Sequence, residues 1–133
     1  MGYRSQVECC IYGDPKDCAT FLLKEAELIH QIIEDWQDFD PSSDEGVTLY
    51  SPNDANLMIL HMNDVKWYEG YDTVDRFMKL LQNIRLEAEK DTPAYEMTYE
   101  FIRVGEESGD IEDLSCGDPE GKLCTSTTIL RSY

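Results

Sequence analysis

Few residues in this chain have the type and spacing that catalysis needs, and the groups left over are overwhelmingly carboxylates. The two histidines, His30 and His61, each lack a second histidine at ligand spacing. Neither H-E-x-x-H chemistry nor a zinc-deaminase site can therefore be assembled from them. The five cysteines, Cys9, Cys10, Cys18, Cys116 and Cys124, contain no C-x-x-C pair. A chain of 133 residues needs no disulfide staple to fold, so reduced thiols are expected. Cys9 and Cys10 are neighbours in a strand-like run, which points them to opposite faces, one into the core and one to solvent, and separates them as metal ligands. Gly13-Asp14-Pro15 and Gly117-Asp118-Pro119 resemble each other. Gly117 to Lys122 nevertheless lacks the spacing and hydroxyl residue of a phosphate-binding loop, and both pieces read as turns. Asp38, Asp40 and Asp44 are spaced like calcium ligands, but Ser43 stands where an EF-hand turn requires glycine and Leu49 where it requires glutamate. No metal and no cofactor is expected, and no residue is assigned a catalytic role.

The acids themselves carry the strongest signal. Twenty-eight Asp and Glu against 11 Lys and Arg leave a formal net charge of −17, a self-repulsion that opposes compaction unless the field is used. Two stretches concentrate it with no positive residue between them. The first holds Glu34, Asp35, Asp38, Asp40, Asp44 and Glu45; the second holds Glu106, Glu107, Asp110, Glu112, Asp113, Asp118 and Glu120. The lysines and arginines are scattered, so direct binding to nucleic acid or to an anionic membrane lacks its electrostatic footprint.

Such a surface suits a basic protein partner. Charge steers encounter, while apolar and aromatic anchors supply much of the binding energy. Trp67, Tyr68 and Tyr71 surround the Glu69-Gly70 turn and are the candidate anchors, although Trp67 in the core with the tyrosines sealing its edge is the slightly favoured account of them. The expected partner-binding set is Asp35, Asp38, Asp40, Asp44, Glu45, Trp67, Tyr68, Tyr71, Glu106, Glu107, Asp110, Glu112 and Asp113. The leading expectation is a non-catalytic, acidic decoy or inhibitor that mimics nucleic acid and occupies the basic surface of a nucleic-acid-binding protein, with phage or mobile-element counter-defence as the analogous setting. A regulatory adaptor for a basic partner unrelated to nucleic acid is the alternative. A small carboxylate enzyme, or one pairing His30 or His61 with an exposed cysteine, and a salt-adapted protein with acids on every face stand behind these.

These residues need a scaffold, and the composition supplies one. Hydrophobic residues make up 41% of the chain, with eight Tyr, four Phe and two Trp, which is too apolar for a disordered acidic tail. One domain over residues 1–133 is expected. With no signal-peptide h-region and no long apolar run, a cytoplasmic location in a cell or host cell is expected too.

Val7 to Tyr12 alternates as a strand. Asp14, expected to cap with its side chain, and Pro15 then open a helix whose apolar positions Cys18, Phe21, Leu22, Ile29, Ile32, Ile33 and Trp36 carry it unbroken to about Gln37. Val47 to Tyr50 and Leu57 to Met62 read as strands, the latter continuing or folding back at Asn63-Asp64. Val74, Phe77, Met78, Leu81, Ile84 and Ala88 form the stripe of a second helix that Thr92-Pro93 stops. Tyr95, Met97, Tyr99 and Phe101 alternate with Glu96, Thr98 and Glu100 as the clearest half-buried strand. Glu106 to Glu120 reads as an acidic loop, and Cys124 to Leu130 as an added C-terminal strand. The order matches a ferredoxin-like split β-α-β sandwich, mainly antiparallel, with two helices on one face and the other face open for binding.

Overall fold

Apolar alternation and helical periodicity produce eight elements among the described residues, which are 3–36 and 46–117 of a computed structural model. They are β1 (Ser5–Tyr12), α1 (Pro15–Lys24), α2 (Ala26–Asp35), β2 (Gly46–Leu49), β3 (Met58–Val65), α3 (Asp72–Ala88), β4 (Thr98–Gly105) and β5 (Ile111–Cys116). The five strands form one sheet in the order β2-β3-β1-β4-β5, and every neighbouring pair is antiparallel. β1 takes the centre, with Val7, Cys9, Cys10, Ile11 and Tyr12 all buried. Val7, Cys9 and Ile11 join Leu60 and Met62 of β3 and Phe101 of β4 in a core with Phe21, Ile29, Ile32, Phe77, Leu80 and Ile84 of the helices. The fold is α+β, an antiparallel sheet with its helices packed on one face. No helix among the described residues is long and apolar enough to cross a membrane.

Four expectations are corrected. The first helix is not continuous: it breaks at Glu25, which lies between α1 and α2 with φ −104° and ψ 16°. Backbone hydrogen bonds bridge the break, from Glu25 N–H to Phe21 and from Ile29 N–H to Glu25, both 2.9 Å, so the helical line bends without reversing. The Glu25 carboxylate accepts from Asn83 Nδ2 at 2.9 Å and from the Tyr95 hydroxyl at 3.2 Å, tying the bend to α3 and to the segment before β4. The acidic stretch after Gly105 is also not a loop throughout. Only 106–110 turns, and β5 then pairs along β4 from Val104↔Ile111 to Tyr99↔Cys116.

Asp14 occupies the N-cap of α1 but makes no side-chain cap bond. Its carbonyl instead accepts the Cys18 N–H at 2.8 Å. Finally, Cys10 does not reach solvent. Cys9 is 0% and Cys10 2% exposed, and Tyr12, Ile102 and Val104 on the side away from the helices are buried as well. In register, the short Cys10 side chain lies between Ile59 and Glu100, and the Tyr12 hydroxyl donates to Glu100 Oε2 at 2.6 Å. The centre of that face is therefore closed to the open binding role expected of it. Asp38, Asp40, Asp44, Glu45 and the strand expected at Cys124 to Leu130 lie outside the described residues.

Candidate functional site

At the end of the sheet where β4 turns into β5, a charged residue occupies a core-facing position. Tyr99, Phe101 and Arg103 share one side of β4, and the side chain that continues the apolar series is a guanidinium, only 17% exposed. A charge held this far from water needs partners, and β5 supplies them. Arg103 forks onto Asp110 at 2.9 and 3.3 Å, donates to Glu112 Oε1 at 3.3 Å, and reaches Ser5 Oγ at 3.2 Å. Tyr3 donates its hydroxyl to Asp110 and accepts the Glu107 N–H. Arg103, followed by Tyr3, holds the Asp110 carboxyl below its ordinary value, and the Asp110 contact raises the Tyr3 phenol and the Arg103 guanidinium in return. A Cβ at Gly105 would sit 2.1 Å from Asp110 Oδ2 and 2.4 Å from the Tyr3 hydroxyl, so a larger residue there would displace the Tyr3–Asp110 pair.

This cluster forms one wall of a cavity of about 720 Å³. The opposite wall is α3, contributing Val74, Asp75, Met78, Lys79 and Gln82, and the head is Trp67, Tyr68 and Glu69. A turn with Gly70 at φ +98° starts α3 here, and its N–H is taken by Asp75 Oδ1 at 3.0 Å.

The structure thus brings together two of the three groups expected to bind a partner. Trp67 is mainly a core residue, 9% exposed, stacked on Trp36 at 5.6 Å and tilted against Phe101 at 5.9 Å. Tyr68 accepts the Tyr3 N–H and packs edge-on to Tyr71 at 5.2 Å, and Tyr71 stands 46% exposed at the rim. Glu106, Glu107 and Asp113 are exposed on the hairpin, whereas Asp110 and Glu112 are engaged by Arg103. Asp35 belongs elsewhere: it is 12% exposed and held by Arg76 at 2.6 and 2.7 Å, on the other flank of α3.

Arg103 and Tyr3 were absent from the expected set. The available signal was an arginine at the next inward position of the Tyr95-to-Phe101 alternation, where an apolar residue belongs.

The arrangements that would support catalysis are weaker. His30 is exposed and pairs with Glu34 at 3.0 Å, while His61 meets Glu8 at 3.7 Å. Cys10 shares the His61 face but is buried. The four described cysteines are free thiols, and desolvation raises Cys9, Cys18 and Cys116, which disfavours the reactive thiolate. Among the described residues no group of three or more His, Cys, Asp or Glu is placed to hold a metal ion. No protein-family model matches the chain, and neither a curated protein nor a solved structure matches it.

Proposed function

We propose that the chain is a non-catalytic acidic inhibitor that occupies the basic surface of a nucleic-acid-binding protein, with the β4–β5 hairpin as its leading edge. The observation that carries this reading is that exposed Glu106 and Glu107 sit on the hairpin turn that Tyr3 ties to the aromatic-headed cavity, the Tyr3 hydroxyl accepting the Glu107 N–H. Carboxylates beside a cavity headed by aromatic rings suit lysine and arginine side chains, which gain both charge pairing and a cation–π contact. The net charge of −17 supports the same sign of partner. Counter-defence in phage or a mobile element is the setting proposed by analogy, and a ferredoxin-like lineage is the finer fold assignment that the strand order supports.

The test is capture on the tagged full chain from a nuclease-treated native lysate at low salt, with and without added duplex DNA. The reading expects a nucleic-acid-binding protein that DNA displaces and that the E106K/E107K variant binds at least about tenfold more weakly. A partner indifferent to DNA would replace the inhibitor with an adaptor.

A further inference from the structure

The cavity at the hairpin does not end there. Along the flank of α3 that faces β5 it continues into a shallower cavity of about 320 Å³, and Met78 and Gln82 line both. The cause is architectural. β5 extends the sheet beyond β4, so its helix-side residues Leu114 and Cys116 stay only partly buried against the core. Between α3 and β5 lies one groove with an apolar floor made by Trp67, Val74, Leu81 and Tyr99. From Val74 to Glu89 its helical wall runs about 22 Å, about four turns at ~1.5 Å per residue.

Charge is distributed unevenly along it. At the hairpin end four acids, Glu69, Asp75, Asp110 and Glu112, outnumber two cations, Lys79 and Arg103, and the Arg103 guanidinium is shared between two of those carboxylates; the far end holds one charge of each sign, Arg85 and Glu89. An occupant must therefore be apolar on the side facing the floor and cationic at the hairpin end. We infer that the groove seats an amphipathic basic helix of about four turns from the partner. Its apolar stripe rests on Met78, Leu81 and Leu114, and its lysines or arginines meet the hairpin acids. This deepens the inhibitor reading and rests on it for the sign of the partner's charge.

The probe is a synthetic helical peptide of about 16 residues, four to five turns, with leucines at i, i+3, i+4 and i+7 and lysines elsewhere. It is titrated against the full chain labelled at backbone amides and at Met and Leu methyls, beside a peptide of the same composition scrambled to destroy the stripe. The expected result is a shift of the Met78, Leu81 and Leu114 methyls, with the scrambled peptide about tenfold weaker. Gln82→Trp fills the groove from an exposed helix position and should weaken the amphipathic peptide about tenfold while leaving Tm unchanged. Equal binding of both peptides, or shifts confined to residues 106–110, would reduce the site to bulk charge and overturn the inference. Nuclear Overhauser contacts between the Met78 methyl and residues 118–133, with no displacement by the peptide, would overturn it by making the chain its own occupant. Because no nucleic acid enters this assay, its failure leaves the inhibitor reading standing. Seating of the peptide beside a DNA-indifferent partner would retain the groove and discard that reading.

Discussion

The two flanks of α3 use the same ingredients in opposite proportions. On the flank facing α1 and α2, Arg76, Asn83 and Glu87 fall on one helical stripe, and each has a partner on the opposite helices: Asp35, Glu25 and Lys24. Glu87 is the most enclosed of these, 5% exposed. It accepts the Ala94 N–H at 2.7 Å and pairs with Lys90 at 3.0 Å and Lys24 at 3.4 Å. On the flank facing β5 acids outnumber cations: Lys79, Arg85 and Arg103 line the groove with Glu69, Asp75, Glu89, Asp110 and Glu112, while Glu106 and Glu107 stay at the surface of the hairpin. In a chain with 11 basic residues against 28 acids, cations are scarce. Two lysines are placed where a carboxylate must be enclosed, and the hairpin keeps its acidic surplus. The first flank is a closed seam and the second is an open groove.

The largest test of that contrast is Arg103→Ala. Removing the guanidinium leaves two adjacent, half-exposed carboxylates without their charge-assisted hydrogen bonds, and urea unfolding should show a loss of about 2 kcal/mol. A loss below ~1 kcal/mol would mean that the β4–β5 ladder holds the hairpin without its cation. On the closed flank, Glu87→Gln keeps an acceptor for Ala94 but loses both lysine pairings, and should cost about 1–2 kcal/mol in the same measurement.

The acid limb of the stability curve sharpens this further. The Ala94 N–H, then Lys90 and Lys24, hold the Glu87 carboxyl down at about 2 against an ordinary value of 4.5. A depressed carboxyl contributes stability that is full above its unfolded value and is lost as pH falls through the folded one. The wild type should therefore lose stability between pH 4.5 and about 2 more steeply than Glu87→Gln, as thermal melts across that window will show. Matching slopes would remove Glu87 as the acid-sensitive group. Smallest of all is the effect of E106K/E107K on folding, within about 0.5 kcal/mol by urea unfolding, as for exposed positions without burial. A larger cost would make those acids part of the hairpin's own structure.

Much of the scaffold was legible before any coordinates. β1, the Asp14-Pro15 helix start, the α3 stripe and the alternation leading into β4 all come from local periodicity. β5 did not, because Ile111 and Leu114 are three residues apart and leave no two-residue alternation, with Glu112 and Asp113 between them. Its pairing depends on the outer edge of β4, whose N–H and C=O groups need partners, and its carboxylates are tolerated because the strand stays half-exposed. The bend at Glu25 was hidden for a similar reason. The periodicity runs through it, and its polar partners, Asn83 and Tyr95, are distant in sequence.

The sequence alone determined the net charge, the lack of a recognisable catalytic motif and an α+β pattern with an apolar core. These are properties of composition and of neighbours a few residues apart. Only the tertiary structure decided that Trp67 and Tyr68 meet Asp110 and Glu112 at one groove, that Asp35 is withdrawn into an ion pair, and that Arg103 organises the hairpin. Each of those depends on contacts across tens of residues, set by strand register and helix packing, which no local pattern encodes.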